Sequence, residues 1–384
     1  MKNTQKILVI LLLVAFGLTS CSDVLEVDIP KNQFSEVQVF STEEGVETAV
    51  NGMYSQLQGY DYYGARMRLL LWPHSGKYHS KQGANIDANK LDVTNVNINL
   101  DKLWLGMWQT INQANVVIAN ATGNGLSNEN STLGQAYFIR GVVYFDLARM
   151  FGEVPLRTRP ANKNELHLAK SSRKAVYNQI IQDFKTSADL LPDRGEYIDG
   201  RPLKYAANAY LAKNSASSQP TGFNSVTESE ITATTISDFW EAAETELDYV
   251  INKGGYSLTA TYADLWKEDS RNTSESIFEL QYGRTGAVRT NDIIRDVALK
   301  NSSIIPNGAN TFGRIRPNKE MLSDHIIQYS GIDYSGDDFI SAGKGNDVVD
   351  LDVAVADPRI VETYFFNSYV RTDNGKDFNL FPRL

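Results

Sequence analysis

Trp72-Pro73-His74, followed by Tyr78 and Asn85, is the stretch of this 384-residue chain whose residue types best suit binding of a flat-faced, hydroxyl-rich ligand. Sugars present C–H faces that indole and phenol rings cover, and rims of hydroxyls that Asn, His and Arg hydrogen-bond. Arg66, Arg68, Lys77 and His79 lie in the same stretch. Trp72 is also readable as a packing residue, so its pattern leaves binding and packing both open. Tyr282 and Arg284, with Arg289 and Phe312, form a similar but thinner second set. The candidate ligand-binding residues are therefore Trp72, His74, Tyr78, Asn85, Tyr282 and Arg284.

Other chemistries find less support. His74 and His79 are close enough to share a metal, but no cysteine or carboxylate stands at ligand spacing. The remaining two histidines, His167 and His325, are isolated. Asp347, Asp350, Asp352 and Asp357 lie in and after a Gly-rich turn without meeting the EF-hand pattern, which reads as a solvated acidic loop. HExxH, GxSxG, P-loop and dinucleotide motifs are absent, so no catalytic residue, metal or cofactor is expected. Scattered carboxylates permit a glycosidase pair only where folding brings two together. A net charge of −9 argues against a dedicated nucleic-acid binder.

At the N-terminus, Lys2 and Lys6 precede an apolar run over residues 7–18, too short for a membrane span and laid out like a secretory signal. Leu18-Thr19-Ser20-Cys21 then resembles a bacterial lipobox, in which cleavage leaves the cysteine N-terminal and lipid-modified, for example with palmitate. Residues 1–20 are accordingly expected to be a signal peptide and Cys21 the lipidation site. The alternative is an ordinary signal with a coincidental cysteine. Cys21 is the chain's one cysteine, which rules out an internal disulfide.

The elements that must position these residues are mostly helical. Residues 22–40 read as extended, with Pro30 breaking any helix. Ser41 and Glu44 form a capping box, opening a helix with Val46, Ala49, Val50, Met53, Tyr54 and Leu57 on one face. Residues 66–100 read as irregular, with a strand or extended loop at 95–99. A helix over 101–121 turns Trp104 and Trp108 inward. Over 134–156, Ala136, Tyr137, Arg140, Val143, Tyr144, Leu147, Ala148 and Phe151 recur at helical steps on one face. Gly152 stops that helix and Pro155 prevents its restart. Ser172 caps a fourth helix running to Pro192, and Arg201-Pro202 starts a fifth. Residues 213–230 read as a polar surface loop. Asp238 with Glu241 caps a sixth helix, whose Trp240 falls on the stripe read as core.

Residues 277–282 alternate like a strand, and the remainder reads as long ordered loops with short strands. The pattern predicts a mainly α fold of stacked helical hairpins without a strict repeat, so any tetratricopeptide relationship is degenerate.

Several separated stretches carry a resemblance. They include Cys21-Ser22-Asp23 with Leu25, Val39-Phe40-Ser41-Thr42, Ala49-Val50-Asn51-Gly52-Met53-Tyr54 and Trp104-Leu105-Gly106-Met107-Trp108 with Ile111-Asn112-Gln113-Ala114-Asn115. The most specific is Gly134-Gln135-Ala136-Tyr137-Phe138-Ile139-Arg140-Gly141 through Phe151-Gly152-Glu153-Val154-Pro155-Leu156. Val176-Tyr177-Asn178, Trp240-Glu241-Ala242-Ala243, Gly255-Tyr256-Ser257-Leu258, Glu275-Ser276-Ile277-Phe278-Glu279 and Asp357-Pro358-Arg359 continue in order. In that order the chain resembles the SusD/RagB family of nutrient-binding outer-membrane lipoproteins.

The resemblance implies a superhelix of degenerate tetratricopeptide-like hairpins with a loop-rich, partly β C-terminal portion. Residues 21–384 would form one such domain, with the helical scaffold mainly over 41–255 and the loop-rich portion over 256–384. It also implies capture of a glycan, or in some members a peptide, at the cell surface. Delivery would be to a partner TonB-dependent, SusC-like transporter, with the protein held in the outer membrane by its lipid. Family members usually continue into a further helical segment. Here Phe378-Asn379-Leu380-Phe381-Pro382-Arg383-Leu384 resembles the approach to it and the chain then stops, which reads as a truncated C-terminus. A surface glycoside hydrolase and a scaffold that binds only the transporter are the competing functions.

Overall fold

Most of the chain folds as helices whose starts and stops are written in the local sequence. The structure is a computed structural model describing residues 35–80, 83, 85–165, 167–194, 199–217, 236–267, 270–283, 293–297, 314–317, 368–370 and 377–379. The lipobox with Cys21, Arg284, Arg289, Phe312, His325 and the four aspartates at 347–357 lie outside the described residues.

The first helix departs from the expected extended run over 22–40. Ser35 opens α1 (Glu36–Val39) through a reciprocal capping box with Gln38. Ser41 is thereby used up closing that turn, its hydroxyl donating to the Gln38 carbonyl at 2.8 Å. Thr42, rather than Ser41, caps α2 (Glu43–Leu57) by accepting from the Gly45 N–H at 3.1 Å. Val46, Ala49, Val50, Met53 and Leu57 bury the predicted face.

Residues 66–100 are not irregular throughout. A π-helical turn at Tyr60–Gly64 leads into α3 (Arg66–His74), then β1 (Tyr78–Ser80) and α4 (Asn85–Asn89). Pro73 sits in the last turn of α3, where it lacks the N–H that would bond the Leu69 carbonyl, and the helix ends one residue later. Residues 95–97 are turn rather than strand, because Asn97 caps α5 (Ile98–Ala121) by accepting from the Asn99 and Leu100 N–H groups.

The scaffold continues through α6 (Glu129–Phe151), α7 (Arg173–Leu190), α8 (Lys204–Ser217) and α9 (Ile236–Lys253). Helix α2 packs on α5, and from α5 to α9 each helix packs on the next. Helix α6 is the centre of this stack. Its predicted single face is too narrow an account, since Thr132–Gly134, Ala136, Phe138–Ala148 and Gln135 are all buried. Neighbours approach it from several sides, and glycine makes the closest approach possible. A Cβ on Gly141 would lie 2.9 Å from the Phe184 ring of α7. Gly152 ends the helix as predicted, with φ +74.

Two further expectations are corrected on α8 and α9. Helix α8 extends through residues 213–217, read as loop, and α9 begins at Ile236, before the expected cap. Trp240 is not core but 55% exposed, and Leu247 and Ile251 also face outward. The line turned toward α8 is Ala243, Glu246 and Val250, with Glu246 accepting from Asn208 Nδ2 at 2.6 Å.

Residues 277–282 form no strand. Phe278 instead packs against Phe138 of α6, with ring centroids 5.0 Å apart, and the Glu279 N–H donates to the Gly200 carbonyl. A 3-10 turn at Tyr262–Trp266 and α10 (Ile293–Val297) follow the scaffold. Two short antiparallel pairs complete the described elements. In the first, β1 pairs with β2 (Ile315–Pro317), with Tyr78 opposite Pro317 and Ser80 opposite Ile315. In the second, β3 (Ser368–Val370) pairs with β4 (Asp377–Asn379).

Candidate functional site

Trp72 and Tyr78 stack, with ring centroids 5.1 Å apart and planes 25° from parallel. Trp72 comes from α3 and Tyr78 from β1, which the short turn 75–77 folds back on the helix. Together with Tyr60, both half-buried rings pack against a small core of Ala65, Leu69 and Ile315. That core is separate from the main one around α6. The three rings therefore share one small supporting core, on which Trp72 and Tyr78 stack. Burial pushes the Tyr78 phenol above its ordinary pKa, which keeps it a neutral donor and acceptor.

Cations are built into the same face. The Arg66 guanidinium lies 4.9 Å from the Tyr60 ring centroid, and that of Arg68 lies 6.0 Å from that of Trp72. Arg68 is buried and donates from Nη2 to Asp296 Oδ2 of α10 at 2.6 Å. Arg314 Nε lies 2.9 Å from the other oxygen of the same carboxylate. Asp296 thus joins α3, α10 and the approach to β2 beneath the rings.

Asn85 belongs to a different layer from the rings. It is 5% exposed, and its Oδ1 accepts from Asn99 Nδ2 at 2.7 Å. The Asn99 Oδ1 in turn accepts from Arg66 Nη1, and Arg66 Nε lies 3.3 Å from Asp61 Oδ1. Asn89 accepts from the Ser80 N–H at 3.0 Å and donates to the Ser80 carbonyl, tying β1 to α4. The network sets where Arg66 and β1 sit.

The other predicted residues divide. His74 is exposed at the end of α3 and His79 on β1, and no group of three potential metal ligands occurs among the described residues. Tyr282 is half-buried beside Gln281, whose carbonyl accepts from Gln58 Nε2 at 2.8 Å. Gln58 directly precedes the turn that carries Tyr60, so residues 281–282 reach the same end of α2. Tyr60 and the cations Arg66 and Arg68 were not among the predicted site residues. Tyr60-Asp61-Tyr62-Tyr63-Gly64 reads as a helix end, and its aromatic density was the available signal.

Against known proteins, residues 23–214 match the family model SusD-like, described as "Starch-binding associating with outer membrane". The match covers half of the chain. The chain belongs to the SusD-like family. A SusD-like protein P2 of Formosa agariphila is 28% identical over 223 residues, covering 55% of this chain and 42% of that relative. The chain spans about half the length of the curated relatives it matches.

Among solved structures, a SusD superfamily protein from Parabacteroides distasonis aligns with TM-score 0.63 at 18% identity, covering 88% of this chain and 67% of that one. A structure determined with xylogluco-oligosaccharide aligns with TM-score 0.61 at 21% identity, covering 73% and 55%. The chain therefore has the SusD-like fold, the mainly α superhelix of degenerate tetratricopeptide-like hairpins expected for it. No helix among the described residues is long and apolar enough to cross a membrane.

Proposed function

We propose that the chain binds an oligosaccharide on the face formed by Tyr60, Trp72 and Tyr78, without acting on it chemically. The observation that carries this reading is the stacked, half-buried Trp72–Tyr78 pair, mounted on its own small core with the Arg66 guanidinium over the neighbouring Tyr60 ring. Indole and phenol rings held in this way offer apolar area at small entropic cost, while Arg66 and the phenol groups supply rim hydrogen bonds. Membership of a family described as starch-binding supports the ligand class, as does a structural neighbour determined with xylogluco-oligosaccharide.

In this reading His74 and Tyr282 lie at or near the rim, and Asn85 acts through Asn99 and Arg66. Lipid at Cys21 holds the protein at the outer membrane, and a TonB-dependent, SusC-like transporter receives the captured glycan. The lipobox spelling supports the anchor, and the family's description as associating with the outer membrane supports the location. Calorimetric titration of the purified chain with xylogluco-, laminari- and malto-oligosaccharides tests the binding function. Saturable heats with one series support it, and absence of binding to every glycan series rejects it. Metabolic labelling with a palmitate analogue, compared between the natural chain and Cys21→Ala, tests the anchor.

A further inference from the structure

We propose that Asp146, on the scaffold helix α6, is a positioning residue for the aromatic face of Tyr60, Trp72 and Tyr78. The proposal rests on the glycan-binding reading above. Asp146 is 5% exposed, and a single oxygen of its carboxylate, Oδ2, accepts from both Tyr62 OH at 2.7 Å and Tyr63 OH at 2.6 Å. Those two tyrosines stack on each other with centroids 4.4 Å apart. They occupy the middle of the π-helical turn, whose first residue is Tyr60 and whose exit leads within two residues into α3.

The turn needs such an anchor. Its backbone leaves helical values at Tyr62, and again at Ala65, where φ is −156° and ψ −55°. Neither departure is closed by a side-chain cap, since Ala65 precedes α3 without one. Backbone bonds from the Tyr62 and Gly64 N–H groups to the Gly59 carbonyl close the turn on itself, and the two phenols on Asp146 tie that turn to α6. Two phenol hydrogen bonds converging on one buried oxygen fix a position rather than a mere contact, and leaving either buried phenol unpaired would be costly. Close packing completes the clamp, because a Cβ on Gly106 of α5 would lie 3.0 Å from the Asp61 carbonyl oxygen.

Tyr60 sits two residues from this anchor, Arg66 three beyond Tyr63, and Trp72 six residues further along α3. Loosening the phenol–carboxylate clamp would leave the α6–α7 scaffold standing while α3 and the rings it carries lose their fixed placement. Asp146 itself does not touch the ligand in this account.

Hydrogen exchange by mass spectrometry on the whole chain separates this role from a general structural one. Asp146→Asn, and the milder Tyr63→Phe, should each raise exchange in peptides spanning 60–80 by about tenfold or more, with α7 peptides unchanged. Affinity for the oligosaccharide series bound by the wild type should fall in both. Unchanged exchange over 60–80 in Tyr63→Phe overturns the proposal. So does an equal rise across α7, which would mark a scaffold residue only, or a loosened segment with undiminished affinity. A wild-type chain that binds no glycan rejects the functional reading, while the exchange result still decides whether Asp146 holds the turn.

Discussion

Arg140 and Asp183 meet as a bidentate ion pair inside the scaffold, Nε to Oδ2 at 2.9 Å and Nη2 to Oδ1 at 2.7 Å, with side chains 4% and 0% exposed. The pair joins α6 to α7, and it reaches further. Arg140 Nη1 also donates to Asn115 Oδ1 of α5 at 2.8 Å and to the Thr158 carbonyl at 3.1 Å. Asn115 Nδ2 donates to the Arg157 and Arg159 carbonyls, both at 3.0 Å. One guanidinium thus binds three helices and the loop after Gly152 together. Burial pulls the Arg140 pKa down, but the hydrogen bonds and charge of Asp183 outweigh it and hold the guanidinium above its ordinary value.

Removing one member of this pair should therefore be far costlier than removing a surface charge. Arg140→Met leaves Asp183 buried without its partner and should destabilise the fold by about 3–5 kcal/mol. Chemical denaturation followed by far-UV circular dichroism measures it. A loss near 1 kcal/mol, the scale of an exposed pair, contradicts the assignment.

Gly141→Ala tests the closeness of α6 and α7. The new methyl would stand 2.9 Å from Phe184 Cε1, and Phe184 is fully buried with little room to yield. Overpacking of this kind should cost about 1–3 kcal/mol, measurable as a lowered denaturation midpoint at unchanged slope. A stabilised variant, as expected for replacing glycine in an open helix position, contradicts that packing.

Asp146 should leave a mark on stability against pH. Burial raises its pKa above the ordinary 3.8, partly countered by the Tyr63 and Tyr62 hydrogen bonds and by the charges of Arg149 on α6 and Lys213 on α8. The neighbouring phenols of Tyr62, Tyr63 and Tyr210 are themselves raised by burial and stay protonated. The native state thus holds the carboxyl proton more tightly than the unfolded chain. Its stabilising contribution is fully present below 3.8 and is lost as pH rises through the higher native value. Relative to Asp146→Asn, the wild type should become progressively less stable as pH climbs through that window. A pH-independent difference between the two contradicts the shift.

Asn85→Ala should act through its neighbours rather than through the ligand. It leaves Asn99 Nδ2 buried without an acceptor and loosens the hold on Arg66, at about 1–3 kcal/mol of stability. Affinity should change much less than on loss of a ring of the aromatic face. A stable variant that loses all affinity would instead make Asn85 a direct ligand contact.

The scaffold was legible because its punctuation is local. Ser172 caps α7 by accepting from the Ala175 N–H, and Gly152 closes α6, as their spacing predicted. The single-face reading of α6 failed where tertiary packing overrode periodicity: Phe138, Phe145 and Val142 are as buried as the predicted stripe. Trp240 failed for the opposite reason. A large apolar residue on a periodic line looks like core, yet α9 meets α8 along a line of smaller side chains.

At the candidate site, Trp72 and Tyr78 could be picked out by type, but the core they pack on includes Ile315 of β2, far away in sequence. Tyr62 and Tyr63 carried no more than the aromatic density of residues 60–63, and Asp146 carried no local signal. Their relation exists only once α2, α5 and α6 are packed.

The central claim, that the Tyr60–Trp72–Tyr78 face binds glycan, is tested most directly by titrating wild type and Trp72→Ala with the oligosaccharide series that the wild type binds. Loss of a central aromatic anchor should lower affinity by about thirtyfold or more, with the far-UV spectrum unchanged. Undiminished affinity in a folded Trp72→Ala protein would contradict the account and make Trp72 a packing residue of α3.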